Sequence, residues 1–176
     1  MVRSEGALAG VKVFIGGPIQ HAILPDGFLE RLEVALSTAI GSVQRAAGTV
    51  LSAHVAERFG ADTPLFTPAQ VAERDFGWML ECDVFVPVLP VLDDGDLLRT
   101  DGTHVELGWA SALGKPIVGV TAQPFADSAS HLLKGIGQVA NARFVDIGEF
   151  TTSPDLLVET VVTALRERPM AASRAL

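Results

Sequence analysis

The sequence predicts an α/β domain, a doubly wound five-stranded parallel sheet with helices on both faces, of the flavodoxin or Rossmann kind. Three observations predict it. Short β-branched apolar runs alternate along the chain with longer stretches of helical periodicity. Several runs, above all Val84-Phe85-Val86-Pro87-Val88-Leu89, lack polar alternation, so both faces of those strands must be covered. Finally, 176 residues without a repeat, a low-complexity segment or an internal linker suit one domain with a substantial core.

The first strand is Val11-Lys12-Val13-Phe14-Ile15, ended by the turn Gly16-Gly17-Pro18. Phe28, Leu32, Leu36 and Ile40 recur at helical spacing, which predicts a helix from an Asp26 N-cap to Ala47, stopped by Gly48. A second strand, Thr49 to Ala53, delivers His54 to its end. Gly60 to Pro68 reads as a loop, and Thr67-Pro68-Ala69-Gln70 as the capped start of a helix carrying Asp75, Trp78 and Met79. Asp83 heads the most apolar strand, through Leu89. An acidic loop with Asp93, Asp94 and Asp96 follows, then a stretch from Thr100 that runs into a helix ending at Gly114. The remaining elements are a strand over 115–120, a helix over 129–137, a strand over 143–147 and a helix begun by Ser153-Pro154-Asp155 and reaching Arg166. The expected domain spans 11–168, between an N-terminal tail (1–10) and a C-terminal tail (169–176) expected to fray.

Composition narrows the function classes. Nearly half the residues are hydrophobic (48%) and mean hydropathy is +0.36, the balance of a compact globule and not of a disordered chain. The apolar runs are too short and interrupted to span a bilayer. A formal net charge of −8 disfavours non-specific nucleic-acid binding, which relies on Lys and Arg to neutralise phosphates. A small anionic ligand needs only a local cluster of donors. The opening residues are polar and lack a secretory signal pattern, and the single Cys82 permits no internal disulfide. A soluble, cytoplasmic protein is expected.

The chemistry concentrates in Thr100-Asp101-Gly102-Thr103-His104-Val105-Glu106-Leu107-Gly108-Trp109-Ala110. It places one carboxylate, Glu106, among small and hydroxyl residues where a strand gives way to a loop and a helix. In doubly wound folds ligands bind beyond the carboxyl ends of the strands, near the point where strand order reverses. The turn at Gly16-Gly17-Pro18, His54 and the approach to Glu106 should all open on that edge. The glycine turn reads either as a tight turn or as backbone amides offered to an oxygen-rich ligand; it is neither a dinucleotide fingerprint nor a P-loop. Asp83 reads either as a proton donor or as a solvated strand end, and Asp75 as an exposed helical acid. His54, His104 and Glu106 have no metal-ligand spacing, no nucleophile elbow accompanies them, and Trp78 and Trp109 read as core. No metal and no cofactor is expected. Carboxylate chemistry fits best: one carboxylate stabilising or attacking an oxocarbenium-like anomeric carbon, and a second group, Asp83, protonating the leaving base.

The motifs Val13-Phe14-Ile15-Gly16-Gly17-Pro18, Val50-Leu51-Ser52-Ala53-His54, Asp75 with Cys82-Asp83-Val84-Phe85-Val86, and Gly102-Thr103-His104-Val105-Glu106-Leu107-Gly108-Trp109-Ala110 with Gly114-Lys115-Pro116 resemble, in this order, the nucleoside 2-deoxyribosyltransferase-like superfamily. Within it the chain is most similar to the CMP and hydroxymethyl-CMP hydrolases of nucleoside-antibiotic pathways and to the 2′-deoxynucleoside 5′-phosphate N-hydrolases. The resemblance implies an N-glycosidase acting on a nucleoside 5′-monophosphate, with CMP-like pyrimidines favoured. Glu106 becomes the catalytic carboxylate and Asp83 a second catalytic acid. Asp75 lies near the sugar, and the substrate pocket takes in Phe14, Gly16, Gly17, Pro18, Gln20, His54, Gly102, Thr103 and His104. Ser130 becomes a phosphate-binding serine, lent by the neighbour in a homodimer. Two positions depart from the pattern: Gln20 stands where those hydrolases carry an Arg, and Thr100, followed by Asp101, stands where transferases often carry an Asp. The alternatives are a 2-deoxyribosyltransferase using the same Glu106, and a non-catalytic nucleotide-binding module.

Overall fold

The computed structural model describes residues 6–167. From β1 (Lys12–Gly16) the chain passes through a 3-10 turn (Gln20–Ala22) into a small antiparallel ladder, β2 (Ile23–Leu24) with β3 (Gly27–Phe28), and then α1 (Glu30–Arg45). There follow β4 (Thr49–Leu51), the short α2 (Ala53–Ala56), a second 3-10 turn (Thr63–Leu65), α3 (Pro68–Glu81) and β5 (Val84–Leu89). The rest is α4 (Asp101–Ala112), β6 (Ile117–Thr121), α5 (His131–Gly135), β7 (Ala142–Asp146), α6 (Ile147–Thr152) and α7 (Asp155–Arg166). The five long strands form one all-parallel sheet in the order β4-β1-β5-β6-β7, the doubly wound architecture the sequence predicts.

Pleating divides the core in two. Val13 and Ile15 of β1, with Val84, Val86 and Val88 of β5, face α1 and α7, meeting Leu32, Leu36, Val43, Leu157 and Val161. On the other face Phe14, Phe85 and Leu89 meet Met79 of α3 and Leu107 and Ala110 of α4. Phe14, expected to touch substrate, is fully buried here, edge-on to Trp78 at 5.9 Å and tilted on Phe85 at 5.2 Å. Its alternation with Ile15 under a covered sheet sends it into the core, and it does not line the cleft described below.

Local chemistry explains where elements differ from expectation. The helix expected from Asp26 starts only at Glu30, because Pro25-Asp26-Gly27 is turn chemistry and closes the β2–β3 ladder, with Gly27 at φ 151. Strand β4 stops at Leu51 because Ala53 already begins α2, with His54 inside it. The last strand ends at Asp146, whose Oδ1 accepts from Gly148 N (2.9 Å) and Glu149 N (3.0 Å) and so starts the unexpected α6. The helix expected over 129–137 is reduced to α5, capped by Ser130, whose Oγ accepts from Leu133 N at 3.1 Å. At the N-terminus Leu8, within the expected tail, is fully buried and its N–H donates to Ala46 O. The expected C-terminal tail lies outside the described residues. Among the described residues no helix is long and apolar enough to cross a membrane.

The chain leaves β1 toward β4 on one side and returns from β4 to β5 on the other, so the crossovers diverge above the ends of β1 and β5. That divergence opens the crevice in which the site lies.

Gly119, in β6, is packed to the limit of its backbone: a β-carbon there would stand 2.6 Å from the Phe144 ring, itself edge-on to Phe125. We expect Gly119→Ala to destabilise the fold by about 1–3 kcal/mol in urea titrations, and a second change, Phe144→Leu, to recover most of that loss.

Candidate active site

The cleft begins with Gly16. Alternation from Phe14 puts the missing side chain of Gly16 on the α3/α4 face, and the carboxylate of Glu106 fills that space. A β-carbon on Gly16 would lie 2.6 Å from Glu106 Oε2 and 3.1 Å from the Phe85 ring. Glu106 sits in the second turn of α4, and not in the loop before it. Thr100 fixes the start of that helix: its Oγ1 accepts from Thr103 N at 3.3 Å and donates to Thr103 Oγ1 at 2.7 Å. With this start the inner face of α4 carries Thr103, Glu106, Leu107 and Ala110, all buried.

Glu106 is 8% exposed, and its Oε2 is buried without a hydrogen-bond partner. Its carboxyl is held well above the usual carboxylate range, first by burial and then by the charge of Asp75, against which Arg74 acts. A buried, unpartnered carboxylate oxygen is costly in a folded protein, and such groups cluster at functional sites.

Asp75 comes from α3, whose phase is set by a capping box between Thr67 and Gln70 with Pro68 at the first position. That phase turns Asp75 and Met79 inward. The expectation of an exposed helical acid is thereby corrected: Asp75 is buried, and burial raises its carboxyl pKa despite the Arg74 hydrogen bond. Arg74 Nε donates to Asp75 Oδ1 at 2.8 Å, and its Nη2 to Glu57 Oε1 at 2.6 Å. Glu57, at the end of α2, also accepts from Thr63 Oγ1 at 2.5 Å. The guanidinium lies over the rings of Phe66 (5.2 Å) and Trp78 (4.9 Å). Glu57, Thr63 and Arg74 escaped the sequence reading. An arginine directly before Asp75, and an acid three residues after His54, were the available signals.

Together these groups surround a cleft of about 200 Å³, lined by the turn from Gly16 to His21, by Glu57, Thr63, Val71 and Asp75, and by Arg99 to Thr103 with Glu106. Gly16, Gly17, Pro18, Gln20, Asp75, Gly102, Thr103 and Glu106 therefore converge as the sequence suggests. Arg99 and His21 are the basic residues on the lining. Arg99 forms an exposed ion pair with Asp101 (Nη2 to Oδ2, 2.9 Å). A larger, open groove of about 930 Å³ lies between the β2–β3 ladder, α1 and α6, and none of the sequence-predicted residues lines it.

Besides Phe14, four expected site residues lie off the cleft lining. Asp83 stands at the opposite, amino-terminal edge of the sheet: its Oδ2 accepts from Lys12 N at 2.7 Å, and its own N–H donates to Lys12 O. Lys12 is four residues before Gly16 on β1, roughly 13 Å along the strand, so Asp83 cannot reach a base held at Glu106. His104 turns back along α4, its Nδ1–H donating to Thr100 O at 2.5 Å. Ser130 caps α5 and does not line this chain's cleft. His54 is fully buried beneath the turn and acts on the cleft only through it. Its Nε2–H donates to Gly17 O at 3.1 Å, while Nδ1 is buried without a partner among the rings of Phe28 and Phe59. No group of three or more His, Cys, Asp or Glu suited to a metal ion occurs among the described residues.

An α/β domain whose cleft holds a buried carboxylate at the switch point of its sheet, between β1 and β5, defines a class of small-molecule site. Residues 25–143 match the model of the nucleoside 2-deoxyribosyltransferase family, and the chain belongs to that family. Among solved structures it is similar to BlsM, known as a solution structure, at 30% identity and a TM-score of 0.69, covering 94% of this chain and 99% of that one. It is also similar in fold to the Clostridium botulinum CMP N-glycosidase BcmB, at 23% identity and a TM-score of 0.56, covering 82% of this chain and 98% of that one. No curated protein matches the sequence.

Burial lowers the His54 pKa to about 4, against the opposing Gly17 hydrogen bond. The unfolded chain therefore takes up a proton at His54 before the folded one does, and the stability that neutral His54 contributes is lost as pH falls from about 6.5 to about 4. Over that window we expect wild type to lose about 3 kcal/mol more than a His54→Asn variant, measured by urea unfolding at a series of pH values.

Proposed function

We propose that the protein is a nucleotide N-glycosidase, hydrolysing the base–sugar bond of a nucleoside 5′-monophosphate, a CMP-like pyrimidine nucleotide, to free base and (deoxy)ribose 5-phosphate. The observation that carries this reading is the buried, unpartnered carboxylate of Glu106 laid against the bare backbone of Gly16. Family membership and the likeness to a CMP N-glycosidase support it.

In this reading ionised Glu106 meets the anomeric carbon as the C1′–N bond breaks, stabilising the oxocarbenium-like state or closing on it as an ester. The bond's electron pair leaves with the base. With Asp83 at the far edge of the sheet, Asp75 is the cleft acid whose charge acts on Glu106, Glu57 and Asp101 being tied to Arg74 and Arg99; Asp75 holds the ribose hydroxyls and supplies the proton for the leaving base. Water then attacks C1′ and restores the carboxylate. The phosphate lies at the first turn of α4, where Gly102 presents its backbone amide at a helix N-terminus, and where Arg99, on exchanging its Asp101 partner for the phosphate, supplies a cation that Gln20 does not. In a homodimer Ser130 of one subunit would complete the other's phosphate site. Exposed Val105 on α4 and exposed Phe76 on α3, the latter edge-on to Trp109 at 5.1 Å, offer an apolar outer face for such a contact.

Base release from a panel of nucleosides and their monophosphates, followed by chromatography, tests the reading. Glu106→Ala should abolish release from CMP with an unchanged circular dichroism spectrum, and wild type releasing no base from any mononucleotide would overturn the proposal. Gly16→Ala should fold and lose about a hundredfold in kcat, because the new methyl displaces the carboxylate. The second reading is a 2-deoxyribosyltransferase passing the same ester to another base, which the family's name favours. Base exchange on a deoxynucleoside faster than its hydrolysis would establish it, and a nucleotide bound yet intact after long incubation would instead indicate a binding module.

A further inference from the structure

Three carboxylates are buried around the cleft, Glu57 at 2%, Asp75 at 6% and Glu106 at 8% exposure, and the partly buried guanidinium of Arg74 pairs with the first two. Arg74 is fixed in every direction. One edge holds Asp75, another holds Glu57, its faces are covered by Phe66 and Trp78, and Nη1 is buried without a partner. Buried ion pairs of this kind contribute little net stability relative to an apolar replacement, so their retention points to a role in the site. Arg74 itself is not on the cleft lining and would not touch the reacting atoms, whereas Asp75, which it holds, would. We infer that Arg74 is a positioning residue for Glu106: anchored by Glu57, it fixes Asp75 and supplies the positive charge that lets the buried Glu106 ionise.

The other charged groups leave this task to Arg74. From the turn after β1, Gly16 and Gly17 present no charge, and His54 beneath them is held neutral at pH 7 by burial. At the mouth, Arg99 and Asp101 neutralise each other in an ion pair whose side chains are 71% and 70% exposed, where solvent screens them, and His21 stands beside them. On α4 itself His104 is turned to Thr100 O. Arg74 thus opposes Asp75, which disfavours the Glu106 carboxylate, while Glu57 moderates Arg74 by sharing its charge. Losing Arg74 should make Glu106 harder to ionise. Losing the charge of Glu57 should make it easier.

The kinetic arm of the test rests on the glycosidase reading, and the spectroscopic arm does not. For wild type, Arg74→Met, Arg74→Lys and Glu57→Gln, the pH dependence of kcat/KM on CMP is measured together with the titration of the Glu106 carboxyl by carbon-13 NMR. In Arg74→Met the acidic limb and the carboxyl titration should move to higher pH, by about one unit, giving roughly a tenfold loss of rate below the limb. Arg74→Lys should return the limb toward wild type while kcat stays low, since an ammonium cannot hold two carboxylates with a fork's geometry. A folded Arg74→Met with limb and titration where wild type has them overturns the inference, because a merely structural role would change melting alone. Should Arg74→Met fail to fold, Glu57→Gln decides: a shift to lower pH supports the inference, and an unmoved profile overturns it. Should wild type leave CMP intact, the glycosidase reading falls, and the carboxyl titrations still settle the role of Arg74.

Discussion

The cleft depends on an absent side chain. Glu106 can lie against the end of β1 only because residue 16 has no β-carbon, and the 2.6 Å approach leaves no room for one. Gly17 extends the same constraint: a β-carbon there would stand 3.1 Å from Val88 O and 3.2 Å from His54 Nε2. The two glycines therefore let a strand end, a buried histidine and a helical carboxylate share one small volume. What a sequence reader sees as a flexible turn is here a packing requirement, satisfied from both sides of the sheet.

Electrostatics follow from that packing. Burial holds Glu106 toward its protonated form, Asp75 adds to the effect, and a single arginine opposes both. The chain's overall charge of −8 says nothing of this arrangement. A surface rich in acids is ordinary, whereas three buried acids with one guanidinium bridging two of them have to be arranged residue by residue. His54 shows the same principle in reverse: the pocket that secures the Gly17 turn costs the imidazole its charge at neutral pH.

The fold was legible because it is written in the period of the apolar residues. The five strands and the helices α3, α4 and α7 lie where hydrophobic runs and helical spacing put them. Local turn chemistry was harder to weigh: Pro25-Asp26-Gly27 competes with a helix cap, and only the packed chain shows that the turn prevails. Within the site, Glu106 and the glycine turn could be found from chemistry-bearing residues near strand ends. Asp83 and Asp75 could not be told apart that way. Both are acids near an apolar strand, but one begins that strand and the other sits mid-helix, and only a parallel sheet with helices running back against it places them at opposite depths. Phe14 reads as a cleft residue because its strand runs into the glycine turn, and His54 because it follows the second strand, while pleating and the turn into α2 send their side chains into the core.

Helix α4 bears Glu106 on its inner side and Val105 and Trp109 toward its outer side. A helix with its side chains is about 10 Å across, so the reacting carboxylate and the apolar exterior are two faces of one thin wall. Whatever rests on that exterior bears on the same rod of backbone that aims the carboxylate. Occupancy outside and geometry inside are mechanically joined through Asp101–Ala112, with no longer route through the fold required.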